Sequence, residues 1–164
     1  MSQQNFLNRV VSRINRMPSQ VRSRALTAVF GRAVKFAGTA RVRVKSINDH
    51  EAVLELRNRP RVQNHIGSVH AAAMALLAES ATGFLVGMNV PDSRIPVIKT
   101  LHVDYVKRAS GQLRAVASLS DEQIQQIRTL EKGEVTVPVV ITDERGVEPV
   151  ECRMVWAWTP KVRR

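Results

Sequence analysis

The pattern of apolar and polar positions changes period along this chain, and each change marks a different element. Phe6, Leu7, Val10, Val11 and Ile14 recur at helical spacing with Arg9, Arg13 and Arg16 between them, which predicts an amphipathic basic helix ended by Pro18. A second short helix fits residues 19–30, with Gly31 as its C-terminal stop. Apolar stripes of this kind can lie on a membrane surface, but packing on the chain's own core is the preferred reading. From Thr39 the pattern alternates, with Ala40, Val42 and Val44 facing one way and Arg41, Arg43 and Lys45 the other, as in a half-buried strand with a basic outer face. A turn at Asn48, Asp49 and His50 leads into residues 52–56 and completes a hairpin. Residues 57–64, with Pro60 inside, read as a loop.

The segment 69–87 is helical in composition and apolar on nearly every side. A helix of that kind must be enclosed, and in a short chain the natural enclosure is a sheet wrapped around it. Residues 97–107, 113–119, 135–142 and 150–158 supply the strands, and Ser120 is placed to cap a polar helix or loop over 121–130. The expected fold class is α+β: an antiparallel sheet of about six strands around one long central helix, with N-terminal helices. The expected organisation is a basic helical extension over 1–34, one domain over 35–160 and a basic tail over 161–164.

Composition bounds the function. A chain of 164 residues with 44% hydrophobic positions can bury a core without disulfides or metals. Its single thiol, Cys152, and four scattered histidines lack metal-ligand spacing, so no metal is expected. The thiol has Arg153 beside it but no claim to be a nucleophile, and His50 and His102 read as structural or exposed. No stretch in the opening residues resembles a signal-peptide core, and the setting expected is the cytoplasm. The net charge of +11 is uneven: every charged residue before Asp49, from Arg9 to Lys45, is a cation. The charge either solvates a face or attracts an anion, whether a phosphorylated cofactor, anionic lipid or nucleic acid. An aromatic share of 4% and the lack of any nucleic-acid module argue against the last.

Between Ala71 and Val90 the one ionisable side chain is Glu79. A carboxylate on an apolar helix is poorly solvated and is poised for base or nucleophile work; it can equally cap a neighbouring element or face a dimer seam. Asn64, His65, Gly67 and His70 lead into the helix start, where free backbone N–H groups stabilise developing negative charge. Glu79 follows His70 by nine positions, too far along a helix for one chain to bring both to one carbonyl. Two antiparallel subunits would close the gap.

Asn64-x-x-Gly67-x-x-His70-Ala71-Ala72, followed by Leu77-Ala78-Glu79, resembles the signature of hotdog-fold acyl-CoA thioesterases of the phenylacetic-acid and hydroxybenzoyl-CoA type, in a divergent branch with an N-terminal helical extension. The resemblance implies that Glu79 activates water or acts as nucleophile, that the backbone N–H of Ala71 or Ala72 polarises the thioester carbonyl, and that His70 and Asn64 orient the reacting groups. It also implies a homodimer or dimer of dimers with shared sites, and coenzyme A as part of the substrate with no separate cofactor. Ser80 is a secondary candidate, since a serine inside a helix often bonds its own backbone. Lys107 and Arg108 suit the phosphates of coenzyme A. Ala71-Ala72 departs from the family's Gly-Gly, and the added methyl groups narrow the approach to the backbone. A non-catalytic acyl or acyl-CoA binding protein therefore stays open as an alternative. So does a hotdog dehydratase, because His65 precedes Glu79 by the spacing of that enzyme's His and Glu, although the proline-glycine stretch between them is missing. A basic surface that binds a membrane or nucleic acid is the third class.

Overall fold

The computed structural model describes residues 5–162, so the first four residues of the basic extension and the last two of the basic tail lie outside it. Three helices open the chain: α1 (Phe6–Asn15), α2 (Ser19–Ala33) and α3 (Lys35–Ala40). Strands β1 (Arg43–Ile47) and β2 (Glu51–Leu56), a 3-10 turn at Pro60–Val62 and the central helix α4 (Ala71–Asn89) follow. The rest is β3 (Arg94–Tyr105), β4 (Leu113–Ser118), α5 (Asp121–Thr129), β5 (Gly133–Val137), β6 (Val139–Thr142) and β7 (Val150–Pro160). Pairing is antiparallel throughout, in the orders β1-β2-β4-β6 and β3-β7-β5.

Both sheets curl against α4, whose Leu77, Ala78, Ala81 and Leu85 are fully buried. By length and composition α4 could cross a membrane, yet 67% of that stretch is buried within the protein. Enclosure is incomplete on one side. Ala75, Glu79, Gly83 and Gly87, four residues apart and so on one face, stay half-buried.

Two expectations about the strands need correction. The stretch 135–142 is not one strand, because Pro138 lacks an N–H and interrupts the ladder. The chain changes sheets there, β5 pairing with β7 and β6 with β4, so the described residues hold seven strands in two sheets instead of about six in one. Nor does Gly31 stop α2. That helix runs on to Ala33, and α3 follows after a single extended residue, Val34, so the first strand starts at Arg43 and not at Thr39. Gly31 serves a helix crossing instead: a Cβ added at Gly38 would fall 2.5 Å from the Gly31 carbonyl oxygen.

The N-terminal helices pack on the same core, with Val11, Leu26 and Phe30 buried and Phe30 stacked on Phe84 of α4 at 4.4 Å between ring centroids. Polar bonds fix the docking. The last carbonyls of a helix have no partner within it, and Asn5 Nδ2 donates to those of Gly87 (2.7 Å) and Val90 (2.6 Å) while Asn5 Oδ1 caps α1. Asp49, in the β1–β2 turn, accepts from Asn8 and from Arg128 (2.8 Å), and Arg128 also donates to Asn89 (2.7 Å). One carboxylate thereby joins α1, α4 and α5. Asp49→Ala removes one acceptor from each of Asn8 and Arg128, which keep their bonds to the Met88 carbonyl and Asn89, and is expected to lower unfolding free energy by about 1 kcal/mol. Urea denaturation at pH 7 measures this, and a change near zero would mean that water replaces the carboxylate.

Candidate active site

The loop before α4 is built by its own polar groups. Asn64 Oδ1 accepts from the N–H groups of Ile66 and Ser68, both at 3.1 Å, and Asn64 N–H donates to the Ser68 carbonyl at 2.9 Å. Gly67 sits at φ +75°, a conformation that favours glycine, and its carbonyl accepts from Asn58 Nδ2 at 2.9 Å. The Asn64 side-chain oxygen is thus engaged in the turn, while its amide nitrogen makes no bond with the described residues.

His70 is the N-cap of α4, with its Nδ1 accepting the Ala72 N–H at 3.0 Å. When the ring is neutral, that bond puts its proton on Nε2. It also changes the expectation for the carbonyl-polarising amides: Ala72 N–H is held by the cap, and of the two it is Ala71 N–H that has no partner among the described residues. Tyr105, the chain's single tyrosine, lies at the end of β3 and donates its hydroxyl to the Ala71 carbonyl at 2.7 Å. Burial, and secondarily Cys152, push its phenol up, so it stays a donor at neutral pH. Sequence reasoning missed Tyr105, because the contact depends on how β3 crosses α4.

Glu79 lies further down α4, where it lines a cleft of about 440 Å³ whose walls are Val34, Phe84, Val97, Ile98 and Trp156. Its carboxylate makes no hydrogen bond or ion pair with the described residues, and burial pushes its pKa above the ordinary value. Ser80 lines the same cleft. Its hydroxyl is buried without a partner, contrary to the expected bond to its own backbone. Thr82 is the residue that bonds back, donating to the Ala78 carbonyl at 2.9 Å while accepting Trp156 Nε1 at 2.9 Å. That bond pins the indole against Gly83, where an added Cβ would fall 2.5 Å from the ring. Gly83→Ala is therefore expected to cost about 1–2 kcal/mol, since displacing a buried ring outweighs the better helix propensity of alanine. Chemical denaturation reads the cost, and a more stable variant would show that the indole yields freely.

The helix start and Glu79 are separated by nine residues of α4, roughly 13 Å along its axis. Within one chain they do not meet. Arg108 lines a second cleft, of about 400 Å³, with Asn58, Gly67, Ser68 and Arg145, beside the loop that leads to His70. Arg145 was not foreseen; it lies in the turn between β6 and β7, where Asp143 Oδ1 accepts the N–H groups of Arg145 and Val147. Lys107 is exposed and outside that lining, and His65 is exposed without a side-chain partner among the described residues. No group of three metal-binding side chains occurs among the described residues. Burial pushes the Cys152 thiol up to about 11, which leaves it protonated and inert at neutral pH.

Residues 22–158 match the family model described as a domain of unknown function, DUF4442. The chain belongs to the DUF4442 family. No curated protein matches it. Among solved structures, a Pseudomonas aeruginosa protein of unknown function, named as a probable thioesterase, is similar at 25% identity with a TM-score of 0.74, over 88% of this chain and 97% of that one. A thioesterase from Haemophilus influenzae is similar at 11% identity, with a TM-score of 0.69 over 87% of this chain and 93% of the other. A mutant of a thioesterase from Staphylococcus aureus is similar at 16% identity, with a TM-score of 0.65 over 77% and 100%. This DUF4442 chain thus has the hotdog fold of proteins named thioesterases, as the motif implied.

Proposed function

We infer that the protein hydrolyses an acyl thioester of coenzyme A or acyl-carrier protein. The observation that carries this reading is the unpartnered Glu79 carboxylate in an apolar cleft, within the fold of proteins named thioesterases. Glu79 takes a proton from water as the water oxygen attacks the thioester carbonyl carbon. The carbonyl oxygen becomes an oxyanion, held by Ala71 N–H at the positive end of α4. Collapse breaks the C–S bond, and the departing sulfur takes the proton back from Glu79. Acid and thiol leave together.

One chain does not bring these groups together, so the working unit is a homodimer in which Glu79 faces the α4 start of the partner subunit. Two surface features support pairing. β3 is an edge strand of twelve residues whose Ile95, Val97 and Leu101 are 46%, 45% and 47% exposed, an aggregation hazard unless covered. The incompletely enclosed stripe of α4 also carries Glu79. A two-fold contact through β3 would cover the edge and close the cleft. The carrier's phosphates fit the cleft lined by Arg108 and Arg145.

A second reading is acyl-thioester binding without turnover. It is favoured by the engagement of Ala72 N–H in the cap and by the methyl groups of Ala71 and Ala72 where thioesterases of this type carry glycines. Thiol release from short, medium, long and aromatic acyl-CoA thioesters and from acyl-carrier-protein thioesters separates the two. Turnover of any supports hydrolysis; binding with no thiol released from any overturns it.

A further inference from the structure

A cleft of about 470 Å³ lies between the N-terminal helices and β1, and shares no lining residue with the clefts of Glu79 or Arg108. Arg32 of α2, Arg41 at the end of α3, Arg43 at the start of β1, and Arg57 and Arg59 from the loop after β2 all line it. No carboxylate does. The five side chains make no hydrogen bond or ion pair with the described residues. The acid nearest in register is Glu55, which stands opposite Arg43 but binds Lys45 at 3.8 Å and Arg114 at 3.5 Å instead.

Gathering five unpaired cations at one cleft raises their mutual repulsion, a cost that an anion would remove. Backbone conformation gives an independent sign. Arg41 has φ +58°, and among the described residues no other non-glycine residue has positive φ. It ends α3 at a position where glycine or asparagine is the usual choice. A strained arginine that projects no intramolecular bond fits a residue kept for its guanidinium. Beside the arginines the lining includes Ala28, Gly31, Gly38 and Val42, which give the cleft an apolar part. The edge of β1 beside it is already satisfied by α2: Thr27 Oγ1 accepts Val44 N–H at 2.9 Å, and Ser23 Oγ donates to the Val44 carbonyl at 2.7 Å. An incoming strand would meet Val44 already bonded, whereas an anion meets guanidinium groups without intramolecular partners among the described residues.

We propose that this arginine-lined cleft binds an organic pyrophosphate. The guanidinium fork matches phosphoryl oxygens two at a time, and five forks exceed what a single carboxylate or monophosphate would engage. The volume is that of a small-molecule site, and the apolar part takes the organic body. Binding here does not depend on thioester hydrolysis.

Isothermal titration of the full chain at low salt, with inorganic pyrophosphate and with ADP as probes, tests the site. One equivalent per chain is expected, with a rise in thermal midpoint. Arg57→Gln combined with Arg59→Gln should weaken binding at least about tenfold, the loss of two charge-assisted contacts. Arg24→Gln, an exposed arginine of α2 outside the cleft, should leave affinity unchanged. Arg41→Gly should weaken binding yet raise the thermal midpoint, because glycine adopts that φ without strain. A merely structural arginine would not give opposite signs. Co-sedimentation with phosphatidylcholine vesicles containing phosphatidic acid, lost in the Arg57/Arg59 double variant while ADP and pyrophosphate fail to bind, would overturn the pyrophosphate and assign the cleft to a lipid phosphomonoester. Absence of saturable binding to any of these probes overturns the proposal. So does an Arg24→Gln loss equal to that of the double variant, which would reduce the effect to overall charge. Retention of pyrophosphate binding by Glu79→Gln keeps this result separate from any failure of the hydrolysis reading.

Discussion

Glu79→Gln is expected to lower thioester hydrolysis by at least about a hundredfold while making the protein more stable at neutral pH. Glutamine keeps the shape of the side chain but cannot take a proton from water, so the loss should fall on kcat and leave acyl-CoA affinity intact. The stability effect follows from the raised pKa of Glu79. The folded protein holds that proton more tightly than the unfolded chain does, so the contribution to stability is fully present below the unfolded value. It is lost as pH rises through the higher folded value. Above that folded value the wild type carries an ionised, poorly solvated group that the amide does not. Melting curves of the two proteins should converge in acid and separate as pH rises, and the wild-type hydrolysis rate should climb through the same raised pKa. An amide variant with full activity would remove Glu79 from the mechanism. One that melts lower than wild type at pH 7 would show that the carboxylate has a stabilising partner.

The elements that could be read from sequence are those whose cause is local. The α4 helix is legible because twenty residues with one charge leave a chain little alternative to burial, and α5 because Ser120 and Gln123 form a reciprocal cap. Gly31 misled for the same reason: glycine after a helical stretch is a fair stop signal, and only the tertiary crossing with Gly38 shows its other use. Pro138 was in plain view, yet that it sends the chain into a second sheet depends on which strands lie beside it.

The site divides along the same line. Glu79, His70, Asn64 and Gly67 have a spacing that a sequence carries, whereas Tyr105, Arg145 and the free hydroxyl of Ser80 owe their place to packing. The basic N-terminal third was legible as charge alone. Folding brings Arg32, Arg41 and Arg43 to one mouth and adds Arg57 and Arg59 from beyond the hairpin, which no linear pattern announces.

Leu101→Asp should turn a dimer into a monomer and remove hydrolysis with it. Leu101 is 47% exposed on β3, so the change does not touch the core, and a folded monomer with unchanged far-ultraviolet circular dichroism is expected. In a two-fold contact through β3 the substitution acts twice, putting two desolvated carboxylates at the centre of one seam. Activity should fall at least about a hundredfold, because each chain keeps its Glu79 and its helix start but holds them apart on its own α4. Val140→Asp is the matched control: it is also 47% exposed, but lies on β6 in the other sheet, and should stay dimeric and active. Light scattering over a range of concentrations, run beside the thiol assay, gives both readings on one sample. A wild type that is monomeric and active, or a Leu101→Asp variant that stays dimeric, would sink the shared site. A monomeric variant with full turnover would mean that Glu79 reaches its substrate without a second chain, and that the separation along α4 is bridged by the substrate itself.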